Sequence, residues 1–222
     1  MRLFAAVWPP AGILSWLEGL PRPAVPGLRW TTGDQWHVTL AFYGEVPEDE
    51  LLPLADALGT AAAAVREFPV AALGDRTLQL GRGVLCVPAS GLESLAAGVR
   101  DATSRWVGDG SPFTGHLTLA RARRGRAVPP SLVGAPLPHA VATGDASGTG
   151  APASSWAVEE VCLVVSTREP SGSRYRTAAS IGVGGGRPAD PGTPPEHPGT
   201  NMRSQVQCGD RWGREPVREP PG

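Results

Sequence analysis

The sequence predicts an α+β fold: two pseudo-symmetric lobes of antiparallel sheet, with outer helices around a central cleft. Three observations carry that prediction. A short pattern occurs twice, as His37-Val38-Thr39-Leu40 and, 79 residues later, as His116-Leu117-Thr118-Leu119. Both copies lie in runs rich in β-branched and apolar residues, which read as strands. Each copy also follows a segment of helical periodicity, so strand and helix recur in the same order along both halves of the chain.

The elements follow in chain order. Arg2 to Trp8 is mostly apolar and reads as a buried strand that Pro9-Pro10 ends. Ile13, Leu14, Leu17 and Leu20 recur at helical spacing over 11–20, with the prolines suitably placed at the helix start. After a Pro-rich connection, Leu28 to Thr31 is a short strand. The turn Thr32-Gly33-Asp34 then leads into the first motif strand, which ends near Val46. The acids of Pro47-Glu48-Asp49-Glu50 suit a helix N-terminus, and that helix runs to about Arg66. Strands are expected at 68–73, 77–80 and 84–87. A helix capped by Ser90 runs over 92–106, and the second motif strand covers 112–120. Residues 122–154 read as a long loop. Trp156 to Thr167 is a strand, and Tyr175 to Val183 is the last one. From Gly184 onward, 16 of 39 residues are Gly or Pro, a composition that predicts a disordered tail and leaves His197 and Cys208 without a role. The folded domain is therefore expected over 1–183.

Composition excludes several function classes. A net charge of −1 gives no general affinity for nucleic acid or membrane, and no apolar run reaches membrane-spanning length. Three widely spaced cysteines form neither a disulfide framework nor a zinc knuckle, which fits a reducing cytoplasm. The N-terminal MRLFAAVWPP is too short and too Pro-interrupted for a signal peptide. All twenty basic residues are Arg; Arg121, Arg123, Arg124 and Arg126 cluster after the second motif, either as a solvated loop or as a phosphate-facing group.

The chemistry lies in the repeated pattern. Strict strand alternation puts His37, Thr39 and Ala41 on one face, and Val38, Leu40 and Phe42 on the other. In the second copy His116, Thr118 and Ala120 oppose Leu117 and Leu119. A lone His on a strand is commonly structural, but here two of the four His in the chain share one register of one pattern. Two imidazoles facing a cleft make a general acid–base pair, and two hydroxyls beside them can hold the oxygens of a phosphodiester. No H-E-x-x-H, paired Cys, G-x-S-x-G or Walker glycine loop occurs, so the pattern calls for no metal and no cofactor.

The chain resembles the 2H phosphoesterase superfamily, and within it the RNA 2′,3′-cyclic phosphodiesterases historically called 2′–5′ RNA ligases. The resemblance rests on Arg2-Leu3-Phe4, Trp36 to Val46, Gly115 to Arg121, the strand Val158 to Ser166 and Ser173-Arg174-Tyr175. It covers roughly 1–183. It departs at Gly115, where many members have Pro, and at Tyr43, where Leu is common. The resemblance implies two lobes, each giving one His and one Thr, and hydrolysis of a cyclic phosphate to a 2′-phosphate. It further implies that His116 activates water, His37 protonates O3′, and Thr39 and Thr118 hold the phosphate. Arg121 would add charge there, but strict alternation points it away from Thr118, so a strand end or bulge is required. For base stacking the candidates are Trp30, Trp36, Tyr43 and Phe113. The expected partners are RNA ends or small cyclic nucleotides, with no membrane and no obligate protein partner, and the chain is expected to be a monomer. A nucleotide-binding module without turnover, and a phosphodiesterase for 2′–5′ linked oligonucleotides, remain alternatives.

Overall fold

The computed structural model describes residues 1–108, 112–138, 154–169 and 172–184. The first lobe contains β1 (Arg2–Val7), α1 (Ala11–Glu18), β2 (Leu28–Trp30), β3 (Val38–Glu45) and α2 (Leu51–Ala63). The second contains β4 (Val70–Leu73), β5 (Leu78–Leu80), β6 (Val84–Ser90), α3 (Glu93–Ala102) and β7 (His116–Ala122). The chain then returns through β8 (Ser155–Ala157) to pair with β4, and closes the first lobe with β9 (Glu160–Glu169) and β10 (Gly172–Gly182). All pairings are antiparallel, and the strands run β10-β9-β1-β3-β7-β6-β4-β8 along one path, with β2 beside β7 and β5 beside β6.

The apolar periodicity explains where the helices go. Ile13 and Leu17 of α1, Leu54 and Leu58 of α2, and Leu95 and Val99 of α3 are all buried in one cluster. That cluster takes Leu3, Ala5 and Val7 from β1, Val38 from β3, Leu117 from β7 and Leu163 from β9. All three helices therefore cover the same face of the sheet, and the opposite face is left for the residues that alternate with these. Burying a Leu of this kind contributes roughly 1.5–3 kcal/mol, which fixes the register of each strand.

Several expectations need correction. Ser90 ends β6 instead of capping α3, whose N-cap is Leu92 with no side-chain cap bond, and α3 stops at Ala102. The strand expected from Trp156 is split, since Val158 and Glu159 separate β8 from β9. The loop over 122–154 carries a 3-10 turn at Pro130–Leu132, while 139–153 falls outside the described residues. Gly184 belongs to the fold: its N–H donates to the Ala62 carbonyl at 3.0 Å, and Val183 is buried. Residues 185–222, the rest of the expected tail, lie outside the described residues.

Candidate active site

The two motif strands meet at one ladder position, Val38 opposite Leu117. In an antiparallel pair the residues flanking such a position also face each other. His37 is therefore brought beside Thr118, and Thr39 beside His116. Val38 and Leu117 are fully buried under the helices, so the four polar residues stand together on the open face. The result is a square with the two imidazoles on one diagonal and the two hydroxyls on the other.

Both imidazoles are locked in the same way. His37 Nδ1 lies 2.8 Å from the Gln35 carbonyl oxygen, and His116 Nδ1 lies 2.8 Å from that of Thr114. A carbonyl only accepts, so each Nδ1 carries the hydrogen and each Nε2 is left for proton exchange. Around the second histidine, Gly115 is a packing requirement. A Cβ there would lie 2.1 Å from the Ala89 carbonyl oxygen, and the Ala89 N–H donates to Gly115 at 2.9 Å, which holds β6 against the start of β7.

Both strands contain a bulge directly after the threonine. On β3, Thr39 pairs with Ala6 and Ala41 with Ala5, which leaves Leu40 as an extra residue. On β7, Thr118 pairs with Cys86 and Ala120 with Leu85, which leaves Leu119 extra. An inserted residue reverses the alternation beyond it. Ala41 thus turns into the core and Phe42 joins Thr39 on the open face, a correction to strict alternation. In the second lobe the same step brings Arg121 to the face of Thr118 and His116, opposite Val84. Buried Thr31 fastens this second bulge: its N–H donates to the Leu119 carbonyl at 2.8 Å. Its hydroxyl lies 2.8 Å from both the Thr118 and Leu119 carbonyls and accepts the Trp36 indole N–H at 2.9 Å.

The surroundings of the two histidines differ. The His37 ring is walled by Phe4 at 4.9 Å, Trp8 at 5.4 Å and Tyr175 at 4.9 Å between centroids. Desolvation among these rings lowers its pKa to about 4, opposed by the Gln35 carbonyl and reinforced by the charges of Arg121 and His116. Tyr175 is held over the ring by Gln35, whose side-chain amide donates to the Ser173 carbonyl at 2.6 Å and accepts from Arg29 at 3.3 Å. Gln35 closes a capping box with Thr32, so the 3-10 turn Gly33–Gln35 fixes the carbonyl that orients His37. Thr31, Gln35 and Tyr175 were not assigned from the sequence. The Thr32-x-x-Gln35 spacing is the one local signal that points to this turn.

The expected stacking residues lie elsewhere. Trp36 and Tyr43 are buried in the core, at 1% and 4% exposure, and cannot meet a base. Trp30 sits on the helix-covered face of β2 and donates its indole N–H to the Pro23 carbonyl, while Phe113 packs against the core. Trp30 and Trp36 line an apolar cavity of about 200 Å³ with Leu119 and Leu137, across the sheet from the motifs. Phe42 is instead the exposed ring on the open face, at 38%, with the Arg2 guanidinium 4.7 Å from its centroid. Among the described residues, no three His, Cys, Asp or Glu side chains group as a metal site, and no helix is long and apolar enough to cross a membrane.

Comparison with known proteins adds to this geometry. The family described as LigT like phosphoesterase matches residues 7–75, which include the first motif. An RNA 2′,3′-cyclic phosphodiesterase from Geobacillus stearothermophilus is 30% identical over 123 residues, 51% of this chain but only 38% of that protein. A solved structure from Thermus thermophilus is 30% identical, covers 82% of this chain and 98% of its own, and gives a TM-score of 0.59. E. coli LigT complexed with 3′-AMP is 26% identical, with 82% and 97% covered and a TM-score of 0.58.

Proposed function

The chain belongs to the LigT-like phosphoesterases of the 2H superfamily, and on that premise we propose that it hydrolyses RNA 2′,3′-cyclic phosphate ends to 2′-phosphates, with His37 and His116 as acid and base. The observation that carries this reading is the square of two imidazoles and two hydroxyls around the Val38–Leu117 pair. A phosphorus centred over it has a threonine on either side for its non-bridging oxygens and an Nε2 on either side for in-line proton transfer. The name of the Geobacillus relative supports the cyclic phosphodiester as substrate.

The step balances without a further reactant. His116 Nε2 takes a proton from water as the water oxygen bonds to phosphorus, and the bond from phosphorus to O3′ breaks. His37 Nε2 gives its proton to O3′, and solvent exchange returns both rings to their starting states. Thr39 and Thr118 donate hydrogen bonds to the phosphoryl oxygens as negative charge builds there, and Arg121 adds a positive charge that needs no reorganisation. In the empty site His37 is held near 4, too low to carry an acid's proton at neutral pH. The substrate anion supplies the missing stabilisation. It offsets Arg121 and favours the imidazolium, so phosphate binding and protonation of His37 are linked.

Incubating a 2′,3′-cyclic mononucleotide with the protein in excess chelator, then resolving the 2′- and 3′-monophosphates, tests the proposal. The 2′ isomer is expected. No product under chelator, with turnover restored by a divalent metal, overturns the metal-free mechanism; a 3′-phosphate reverses the assigned orientation; and tight binding without turnover leaves only a nucleotide-binding module.

A further inference from the structure

The second lobe carries a concentration of positive charge that the proposed chemistry does not use. The segments 74–90 and 112–138 hold six Arg and a single acid, Asp75, in a chain whose net charge is −1. Arg76 is spent on the Gly134 carbonyl, to which it donates at 3.0 Å. Arg82, Arg121, Arg123, Arg124 and Arg126 are exposed, and among the described residues none of them forms a salt bridge. The acids gather elsewhere, with Glu45, Glu48, Asp49 and Glu50 in one short stretch at the far end of β3 and the turn after it.

The backbone arranges these arginines in a line. The bulge at Leu119 brings Arg121 to the open face beside Thr118, and Arg29 of β2 lies directly opposite it. The ladder continues one step further, since the Arg123 N–H donates to the Gly27 carbonyl at 2.7 Å, so Arg123 follows Arg121 on that face. There the chain turns, with Gly125 at φ 80° and the Arg126 N–H bonded to the Arg123 carbonyl, and the Arg126 stem lies over Gly27. The tip of the β5–β6 hairpin is tied to the same turn by bonds from Ala122 to Gly83 and from Val128 to Arg82, which sets Arg82 next to Arg123. A track of guanidinium groups thus leaves the catalytic square at Arg121 and runs off the end of the second lobe.

We propose that this track binds backbone phosphates of the RNA chain upstream of the cyclic end, so that the preferred substrate is an oligoribonucleotide and not a mononucleotide. The inference rests on the hydrolase reading for the identity of the polymer. A row of unneutralised arginines continuous with a phosphate site fits a polyanion whose last phosphate occupies that site. Guanidinium groups also suit phosphate oxygens through paired donors. Contacts of this kind position a strand without reading its sequence.

The test uses the full chain and its Arg82→Glu/Arg123→Glu variant, neither residue being part of the catalytic square. The first measurement is fluorescence anisotropy of a labelled single-stranded oligoribonucleotide without a terminal phosphate, titrated across salt, beside vesicles of phosphatidylglycerol and phosphatidylcholine. Wild type is expected to bind with a log–log salt slope of about −0.7 per phosphate engaged. The double variant should bind at least about tenfold more weakly and with a slope shallower by about 1. The second measurement is kcat/KM on an oligoribonucleotide and on a mononucleotide, both ending in a 2′,3′-cyclic phosphate. The variant should lose about tenfold on the oligomer and stay within twofold on the mononucleotide, which also establishes that it is folded. Salt-independent binding, equal binding by the variant, tighter binding to the vesicles, or equal loss on both substrates overturns the track. Absence of turnover on either substrate by wild type sinks the hydrolase reading instead, and the anisotropy series then decides the surface alone.

Discussion

The two lobes carry the same backbone device with different side chains. Each has a strand with His and Thr facing outward, an Nδ1 locked to the carbonyl two residues before, and a bulge at the following Leu. Five residues after its His, the first lobe presents Phe42 and the second Arg121. The neighbouring strands differ too, since β1 lays Phe4 and Trp8 near its histidine where β6 lays Val84 and Cys86 beside Arg121 and Thr118. The difference teaches a division of labour. One lobe sets the proton affinity of its imidazole with aromatic walls, and the other supplies the fixed charge.

The largest expected effect tests whether both lobes contribute to chemistry. His37→Ala and His116→Ala should each lower kcat on a cyclic mononucleotide by about 10²–10⁴. A phosphodiester with a nitrophenolate leaving group separates the roles, because such a group departs without a proton. On it His37→Ala should recover most of its rate and His116→Ala should not. The reverse pattern would exchange the roles of the two lobes.

The aromatic wall has a signature in stability. With the folded pKa of His37 near 4 and an unfolded value near 6.5, the unfolded chain takes up a proton between those limits and the folded chain does not. The contribution is fully present above 6.5 and is lost as pH falls to about 4, amounting to a loss on the order of 3 kcal/mol. Urea unfolding across that range should show the slope in wild type and in His116→Phe, and a flatter one in His37→Phe. An unchanged slope in His37→Phe removes the wall from the account. The same linkage predicts that inorganic phosphate binds more tightly as pH falls toward 5, with proton uptake measurable by calorimetry in buffers of different ionisation enthalpy.

Two smaller effects probe the second lobe. Arg121→Ala should reduce kcat by about 10–10² while leaving the melting temperature within a degree or two, because the side chain is exposed and stabilises only developing charge. Thr31→Val removes the hydroxyl that fastens the β7 bulge and receives the Trp36 indole, and should cost about 1–3 kcal/mol in urea unfolding. A loss below about 0.5 kcal/mol would mean that the bulge holds itself.

The sequence made the square legible because His-x-Thr alternation and an aliphatic partner face are local properties of seven residues. Phe42 was assigned to the wrong face because Leu40 and Leu119 look like any other strand aliphatic. A signal was present in the Leu-Ala doublet after each Thr, two consecutive apolar residues where alternation allows one. For Arg121 the need for a bulge could be stated from the strand period, but its location depends on pairing with β6. Tyr175 was beyond reach for another reason. It meets His37 only after β10 has paired with β9 and β9 with β1, and no spacing within the chain encodes that distance. Trp36 and Tyr43 show the converse error, since an aromatic beside a motif is as readily a core residue as a platform.

The bulges give each motif a reading frame. Between the threonine and the residue three places later, the chain cannot gain or lose a single position without exchanging what faces the phosphate for what faces the helices. A one-residue deletion at Leu119 would turn Arg121 toward the core and bring Ala122 outward, with every neighbouring amino acid unchanged. An alignment or a graft that slides one residue within this interval would therefore retain both His-x-Thr signatures and still misplace the cation. For a designer transplanting the site, the unit to move is six residues long and begins at the histidine.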